Sequence, residues 1–325
     1  MSLSHAYGDP PSREQASAVL LRALDLGITH FDTAALYGFG ANEKLLGKIL
    51  GPYRSRFTLA SKGGMYGVPV NGVTKRMIDA RSETLTANCE ASLRNLRTEI
   101  IDLYYLHRVD HEVPLEDSVG ALARLVQAGK IRQVGLSEVS AQTLRRAHRV
   151  HPIAAVQSEY SIITRNPEIG VLDACRELGA SFVAFSPVAR GMTAQTPPDA
   201  TQLQTNDIRR AMPRFAPGNH AANYQSLAAF RELAGRLKCT SSQLALRWLL
   251  ERGPHVLTIP GTTRLAHLEE NVAAATIELT ETSRAELNTL VDSLEIRGAR
   301  YNSATQAEID TEQWPGEIDA QWDSE

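Results

Sequence analysis

Four side chains of the kinds that exchange protons lie at or just after predicted strands in the first third of the chain. They are Asp32 and Tyr37, near the end of and just beyond the run 29–34; Lys62, after the run 57–61; and His107, after the run 101–106. Barrels of alternating strands and helices carry their chemistry at the ends of strands. We therefore expect these four side chains to meet at one point.

The chemistry that these residue types allow is the reduction of a carbonyl group. An ammonium at Lys62 is expected to stabilise the phenolate of Tyr37 and lower its pKa towards the working range. Asp32 can hold Lys62 through a buried ion pair, and His107 can donate a hydrogen bond to a substrate oxygen. We see no nucleophile, metal cluster or pair of carboxylates, so a hydride would have to come from a bound cofactor.

The elements that must position these residues alternate along the chain. Apolar runs flanked by helical patterns are typical of parallel strands buried on both faces. In order, the predicted elements are helix 12–26, strand 29–34, helix 42–50, strand 57–61, helix 74–96 opening on a Thr74 cap, strand 101–106, helix 115–128, strand 133–137, helix 140–149, strand 154–158, helix 167–178, strand 182–185, helices 223–237 and 240–251, strand 256–259, and helices 264–275 and 281–294. This order predicts the α/β class and a (β/α)8 TIM barrel.

The pattern supplies seven strands, whereas a closed barrel of this type has eight. The missing strand should precede the first helix, where only residues 1–11 are available. We expect either that Met1-Ser2-Leu3 is a stub of that strand or that the chain is truncated or begins at an internal start. A missing first strand would leave two unpaired parallel edges.

Composition narrows the class of partners. The formal net charge of -3 gives no basic excess, so nucleic acid and anionic membranes are not predicted partners. No apolar run approaches the roughly 18 residues that span a bilayer, and the N-terminus has no signal-peptide pattern. Cys89, Cys175 and Cys239 lack metal-type spacing and are interpreted as reduced packing residues of a cytoplasmic protein.

Two segments fall outside the regular alternation. The stretch 190–223 is rich in proline and predicts a lid or binding loop, with a tolerated surface insertion as the alternative. Beyond Arg297 the chain is acidic. We expect a barrel domain over 1–297 and a disordered or loosely draped tail over 298–325, although Trp314 and Trp322 could dock that tail on the barrel.

Several short motifs follow one another along nearly the whole chain to about residue 295. They are Ile28-Thr29-His30-Phe31-Asp32-Thr33-Ala34 with Tyr37-Gly38, Ser61-Lys62, Tyr104-Tyr105-Leu106-His107, Val134-Gly135-Leu136-Ser137-Glu138, Gln157-Ser158-Glu159-Tyr160-Ser161, Phe185-Ser186-Pro187, and Ile259-Pro260-Gly261-Thr262-Thr263-Arg264 with Leu268-Glu269-Glu270-Asn271. In this order the motifs resemble those of the aldo-keto reductase superfamily. The resemblance is greatest to its microbial NADP-dependent members.

The resemblance implies an NADPH-dependent reductase of small aldehydes or ketones, of the alcohol dehydrogenase or carbonyl reductase type. It implies a catalytic tetrad of Asp32, Tyr37, Lys62 and His107, with Tyr37 as the general acid and base. It implies cofactor contacts from Ser137 and Gln157 to the nicotinamide amide, Phe185 to its ring, Ser186, Pro187, Val188 and Arg190 to the pyrophosphate, and Gly261, Thr262, Arg264, Glu270 and Asn271 to the adenosine end, with Arg264 on the 2′-phosphate.

The residues at the adenosine end support this independently. Thr262 is predicted to cap a helix whose electropositive N-terminus suits a phosphate, and Arg264 adds a permanent positive charge that a pocket for NAD alone would not need. The alternative for Arg264 is an exposed arginine at a helix start.

Three departures from the resemblance stand out. Relatives usually carry an N-terminal hairpin and a first strand before the position of Met1. Ala189 stands where a glycine is common. Ile163 stands where close relatives often have tryptophan, which predicts a wider substrate pocket.

Two classes of function remain open from the sequence. The first is the reductase, which the complete tetrad favours. The second is a nicotinamide-binding regulatory or interaction subunit with little turnover, because members of the superfamily also serve as cofactor-sensing partners of other proteins. The sequence does not decide the oligomeric state.

Overall fold

A seven-stranded parallel sheet forms the centre of the molecule. The structure is a computed structural model, and it describes residues 3–4, 6–70, 72–315 and 317. The strands are β1 (His30–Asp32), β2 (Thr58–Gly63), β3 (Met65–Val70), β4 (Val73–Ile78), β5 (Ile101–Leu106), β6 (Ile131–Ser137), β7 (Ile153–Glu159), β8 (Ser181–Phe185) and β9 (Val256–Thr258). The parallel sheet has the order β1-β2-β5-β6-β7-β8-β9, and β3 and β4 form a separate antiparallel hairpin.

Helices surround this sheet. They are α1 (Arg13–Asp25), α2 (Ala41–Leu50), α3 (Ser82–Leu96), α4 (Leu115–Gln127), α5 (Ala141–Val150), α6 (Val171–Leu178), α7 (Pro217–Ser226), α8 (Ala228–Arg236), α9 (Ser241–Leu250), α10 (Leu265–Ala273), α11 (Glu281–Asp292) and α12 (Ser303–Gln306). None of the helices in the described ranges is long and apolar enough to cross a membrane.

The predicted fold class is confirmed, and all seven predicted strands are present. Helix α1 begins after Ser12, whose hydroxyl accepts from the Gln15 N–H while the Gln15 side chain accepts from the Ser12 N–H. Of the suggested stub of a first strand, Met1 and Ser2 lie outside the described residues, and Leu3 is buried in the core.

The ring of helices continues across the interval between the two ends of the sheet. Within the described residues β1 and β9 are the end strands. Helix α1, which precedes β1, packs against both α2 and α10. An ion pair at 2.8 Å joins Arg22 of α1 to Glu269 of α10. The first and last parts of the barrel are thus in direct contact through their helices.

The prediction of one helix over 74–96 is wrong at its start. Residues 73–78 form β4, which pairs with β3, and α3 begins only at Ser82 with Arg81 in the N-cap position. The sequence does carry a hairpin signal here, because Asn71-Gly72 between two runs rich in β-branched residues is typical of a tight turn. The helical periodicity of residues 82–96 nevertheless favoured a helix over the whole of 74–96.

The core divides into two parts according to the side of the sheet. A large apolar cluster fills the space between the strands and the helices. A small one fills the barrel interior and consists of Ala60, Leu103, Tyr105, Ala155 and Val183. Gly135 belongs to this packing as well, because a Cβ there would lie 2.4 Å from the ring of Tyr105.

The stretch 190–223 is not structureless. It contains short 3-10 turns at Ala200–Gln202, Ile208–Ala211 and Pro213–Phe215 and the beginning of α7. It packs on the N-terminal segment: the Ile208 N–H donates to the Ala6 carbonyl at 2.9 Å, and the guanidinium of Arg209 lies 5.0 Å from the ring centre of Tyr7. Whether it acts as a lid stays a prediction.

The described part of the acidic tail is docked, so the expectation of a loosely draped segment is wrong there. Asp310 accepts from the N–H of Ser140 at 3.3 Å, and Glu312 accepts from the N–H of Ala141 at 2.7 Å. Carboxylates are favoured at the first turn of a helix, here α5. The acidic tail residues Asp319, Asp323 and Glu325 and the aromatic residue Trp322 lie outside the described residues.

Candidate active site

Alternation along the strands brings Asp32, Lys62 and His107 to the C-terminal mouth of the barrel. Ala60 and Tyr105 point into the barrel interior, and residues two apart on a strand point the same way. Lys62 and His107 each follow one of these residues by two positions, and Asp32 lies beside Ala60 in the register of β1 and β2. All three are almost fully buried. The predicted convergence of these side chains therefore follows from strand geometry.

Tyr37 reaches the same place from the loop between β1 and α2. The next three residues, Gly38, Phe39 and Gly40, have φ values of +57°, +51° and +88°. This left-handed run turns the chain back into α2. Glycine is needed at position 38 for space as well, because a Cβ there would lie 3.0 Å from the carbonyl oxygen of Ser4.

Lys62 is the centre of the cluster. Its Nζ donates to Oδ1 of Asp32, to the carbonyl oxygen of Thr33 at 2.9 Å and to the hydroxyl oxygen of Tyr37 at 3.3 Å. The rings of Tyr37 and His107 meet edge to face with their centres 6.0 Å apart. The structure thus brings all four members of the predicted tetrad together.

The charges in this cluster are set by burial and by the ion pair. Burial raises the pKa of the Asp32 carboxyl, but the Lys62 ammonium outweighs it and holds that pKa below its ordinary value. Burial lowers the pKa of Lys62, but Asp32 and Tyr37 outweigh it and the net pKa is raised. Asp32 and Lys62 are therefore both charged at neutral pH.

The pKa of Tyr37 differs from the sequence-based expectation. Burial raises it, the Lys62 ammonium lowers it, and Asp32 raises it again, so the net pKa lies above its ordinary value. The expectation that Lys62 brings the phenol into the working range is wrong for this structure, because burial and, after it, the Asp32 carboxylate together outweigh the effect of the ammonium on the pKa of Tyr37. Tyr37 is therefore a protonated phenol at neutral pH.

Two buried residues of α2 support the loop that carries Tyr37. Asn42 donates from Nδ2 to the hydroxyl of Thr33 at 2.8 Å, directly after β1. The carboxylate of Glu43 accepts from Ser61 at 2.6 Å and from Asn95 at 3.1 Å. The sequence reasoning missed both residues. The available signal was a pair of adjacent polar residues at the start of a predicted helix near the tetrad.

Ser137 and Gln157, predicted to hold the nicotinamide amide, are neighbours in the register of β6 and β7. Both are buried at the mouth of the barrel. Gln157 donates from Nε2 to Oδ2 of Asp32 at 2.7 Å, and Ser137 accepts a hydrogen bond from Arg108 at 3.3 Å. The predicted cofactor edge is therefore in contact with the tetrad through Asp32.

The predicted pyrophosphate segment follows β8. It consists of Ser186, Pro187, Val188 and Arg190, directly after Phe185 at the strand end. The backbone turns through left-handed conformations at Ser186, Ala189 and Arg190, with φ values of +50°, +52° and +55°. A glycine is common at position 189 because such φ values cost an alanine more. The Arg190 guanidinium is buried and donates to Oε2 of Glu159 at 2.6 Å, so the protein itself balances its charge.

The predicted adenosine site lies at the start of α10. Thr262 does not cap this helix: its hydroxyl accepts from the Arg264 N–H at 3.1 Å, and Arg264 holds the N-cap position without a side-chain cap bond. The predicted cap therefore lies two residues before the N-cap position of the structure. Gly261 and Arg264 are exposed, and Asn271 is half-buried. Glu270 accepts from the hydroxyl of Thr240.

Ile163, expected to widen a substrate pocket, lines a cavity of about 280 Å³ beneath the docked tail. The other walls of this cavity include Val291 at the end of α11, and Trp314 and Glu317 of the tail. No tetrad residue lines it. The effect of Ile163 on a substrate pocket stays a prediction.

The fold and this cluster define a barrel enzyme whose proton-exchanging groups meet at the C-terminal mouth. A model described as the aldo/keto reductase family matches residues 1–292, and the chain belongs to that family. This confirms the resemblance of the motifs.

Relatives of known sequence cover nearly the whole chain. The Glycine max protein named "Probable aldo-keto reductase 1" is 40% identical over 302 residues, which are 93% of this chain and 86% of that protein. Aldo-keto reductase yakc of Schizosaccharomyces pombe, whose name specifies NADP(+), is 38% identical over 310 residues, 94% and 91% of the two chains. The solved structure of a glycerol dehydrogenase from Gluconobacter oxydans is similar at a TM-score of 0.82 and 26% identity, over 90% of each chain.

The ion pair predicts how stability depends on pH. We expect Asp32→Asn to lower the free energy of unfolding at neutral pH by about 3–5 kcal/mol, because the Lys62 ammonium stays buried without its carboxylate. The folded pKa of Asp32 lies below its ordinary value of 3.8, so its contribution is present above that pH and lost as the pH falls through the folded pKa. Urea unfolding of both proteins at neutral and acidic pH measures this.

The matched control is Asp173→Asn, which removes the carboxylate of an exposed pair with Arg176. We expect it to change the free energy of unfolding by less than about 0.5 kcal/mol. A deficit of Asp32→Asn that does not shrink as the pH falls would contradict the ion-pair explanation.

Proposed function

We propose that this protein reduces aldehydes or ketones to alcohols with NADPH, as a carbonyl reductase. The observation that carries the proposal is the Tyr37 hydroxyl, which lies 3.3 Å from a buried, charged Lys62 and beside His107 at the barrel mouth. A weak acid next to a fixed positive charge suits the protonation of an oxygen on which negative charge develops. Membership of the aldo/keto reductase family and the NADP(+) in the name of its relative yakc support the proposal.

Tyr37 is the proton donor in this proposal. Its raised pKa keeps the phenol protonated at neutral pH, so the proton is present when a carbonyl substrate binds. When the proton leaves, the phenolate that remains lies beside the Lys62 ammonium, which offsets the new negative charge. Asp32 keeps that ammonium charged and fixed in place.

His107 orients the substrate. Its imidazole is buried at the mouth and its backbone N–H donates to the carbonyl of Gly63 at 2.9 Å, which fixes the start of the loop after β5. A hydrogen bond from the ring to the substrate oxygen would hold the carbonyl within reach of Tyr37.

The residues at the mouth fit a nicotinamide dinucleotide. Ser137 and Gln157 lie side by side, and because Nε2 of Gln157 is bonded to Asp32, its Oε1 is the atom left to accept from a carboxamide. Phe185, half-buried at the end of β8, offers a ring face. When bound, the cofactor supplies the hydride.

Further residues extend the site to the rest of the dinucleotide. The turn formed by Ser186, Pro187 and Val188 would take the pyrophosphate, with Arg190 fixing the turn from behind through Glu159. The start of α10, which has no side-chain cap, leaves backbone N–H groups and the exposed Arg264 for a 2′-phosphate. The residues assigned to the adenosine end are Gly261, Thr262, Arg264, Glu270 and Asn271.

Replacing Tyr37 tests the proton donor. We expect Tyr37→Phe to abolish the reduction of a reactive aldehyde such as a nitrobenzaldehyde while leaving NADPH affinity nearly unchanged, because only the hydroxyl is lost. Loss of reduced-nicotinamide absorbance measures turnover, and fluorescence titration measures affinity. Tyr53→Phe, an exposed tyrosine outside the site, is the control. A Tyr37→Phe protein with wild-type kcat would remove Tyr37 from this role.

The pH profile tests the raised pKa. The pKa of Tyr37 lies above its ordinary value of 10.0, so the phenol keeps its proton across neutral pH. We expect kcat/KM for aldehyde reduction, which reports groups of the free enzyme, to stay flat from about pH 6 to about pH 9 and to fall only at higher pH. A fall of kcat/KM centred near neutral pH would contradict the raised pKa of Tyr37.

Replacing Arg264 tests the phosphate contact. We expect Arg264→Ala to weaken NADPH by roughly tenfold or more and NADH hardly at all, because the guanidinium contacts only the 2′-phosphate. Dissociation constants for both cofactors measure this. Arg22→Ala, at an exposed ion pair nearby, is the control. Equal losses for NADPH and NADH would defeat the assignment.

A further inference from the structure

Four charged residues form a second buried cluster behind the proposed cofactor site. Glu138, Glu159, Arg190 and Arg300 have side-chain exposures between 0% and 7%. The sequence alone indicates no role for Glu138, Glu159 or Arg300, and Arg300 lies in the segment predicted to be the acidic tail. In the structure Arg300 is one of the few charged residues of the described chain that is buried.

The contacts make Arg300 the link between the two carboxylates. It donates from Nη2 to Glu138 and from Nε to Oε2 of Glu159 at 3.1 Å. The same oxygen of Glu159 accepts from Nη2 of Arg190 at 2.6 Å. The hydroxyl of Tyr301 accepts from Nη2 of Arg190 at 3.0 Å. Two consecutive residues of the C-terminal segment therefore contact both ends of the cluster.

The residues that Arg300 and Tyr301 bond lie at or after strand ends that the proposed function uses. Glu138 directly follows Ser137, and Glu159 lies two residues after Gln157. The other carboxylate oxygen of Glu138 accepts from the N–H of Glu159 at 2.9 Å, which ties β6 to β7. Arg190 lies in the turn after β8. The cluster therefore joins the three strand ends that would contact the nicotinamide and the pyrophosphate.

The backbone at these points is strained. Glu138 and Arg190 have φ values of +57° and +55°, and Ala189 has +52°. Residues other than glycine keep such conformations only where surrounding contacts enforce them, and these cases concentrate at functional sites. Here the side chains of Glu138 and Arg190 are themselves the groups held by the cluster, so its contacts supply that enforcement.

Stability alone explains this arrangement poorly. Taking charged groups out of water costs free energy, and replacing a buried ion pair with well-packed apolar residues is often neutral or stabilising. A buried ion cluster is therefore weak evidence for stability. Burial raises the pKa of Glu159, yet Arg190 and Arg300 outweigh it and the pKa is lowered, so the carboxylate stays charged. A costly cluster placed behind a binding edge is better explained by what it holds in position.

We propose that Arg300 and Tyr301 are positioning residues that hold the ends of β6 and β7 and the turn after β8 in the shape that receives the nicotinamide and pyrophosphate parts of the cofactor. This inference rests on the proposed function. It makes the start of the C-terminal segment a support of the proposed cofactor site.

Binding of two ligands to the full chain tests the proposal. NADPH spans the whole site, whereas adenosine 2′-monophosphate lacks both phosphates of the pyrophosphate and would contact only the adenosine end at the start of α10. Arg300→Lys keeps the charge but cannot bond both carboxylates in the same geometry. We expect it to weaken NADPH roughly tenfold, and adenosine 2′-monophosphate by less than about twofold. Tyr301→Phe keeps the ring on Arg300 and loses one bond to Arg190, so a loss of about threefold is expected for NADPH alone.

The matched control is Arg284→Lys, because Arg284 also bonds a carboxylate through two nitrogens, at Glu251 on the helical layer. It should leave both affinities unchanged. Thermal unfolding of each variant without ligand shows that the compared proteins are folded. If Arg300→Lys does not fold, the two ligands are compared on Tyr301→Phe.

Two results would overturn the proposal. One is an unchanged NADPH affinity in the folded variants. The other is an equal weakening of NADPH and adenosine 2′-monophosphate, which a general loosening of the protein would produce. Failure of the proposed function is a separate result, because the wild-type protein would then fail to bind NADPH or to reduce any aldehyde.

Discussion

The site depends on the buried ion pair between Asp32 and Lys62. An ammonium at this depth needs a carboxylate, and a carboxylate there needs an ammonium, so changing either residue alone leaves an uncompensated buried charge. The Lys62 ammonium also donates hydrogen bonds to the Thr33 carbonyl and to the Tyr37 hydroxyl. Asp32 uses its second oxygen on Gln157. One pair therefore fixes the distance between the proton donor and the proposed cofactor edge.

Much of this arrangement could be predicted from the sequence because it follows from strand periodicity. The predicted strand ends brought Asp32, Lys62 and His107 to one mouth, and each lies where alternation places it. The sign of the pKa change at Tyr37 could not be predicted, because it is a balance between burial and two opposite charges whose distances only the structure gives. The positions of Lys62 and Tyr37 in the sequence do not give the distances or the burial that decide this pKa.

Other features were missed because long-range contacts override local pattern. The hairpin of β3 and β4 was concealed by the helical periodicity that follows it, and its strands are held by pairing with each other. Arg300 is an ordinary arginine in an acidic segment until its two carboxylate partners, more than a hundred residues earlier, are known. The predicted barrel brings the first and last helices of its outer ring near each other, but the sequence does not show which residues join them, here Arg22 and Glu269.

The hairpin is coupled to the loop of the proton donor at one point. A Cβ at Gly67 would lie 2.2 Å from the ring of Phe39, two residues after Tyr37, and Arg76 at the other strand of the hairpin is paired with Glu308 of the C-terminal segment. Three chain segments that are remote in sequence thus share one rim around the barrel opening. Evolutionary change in any of them is constrained by the other two, so inherited variation in the rim should be concerted rather than piecemeal.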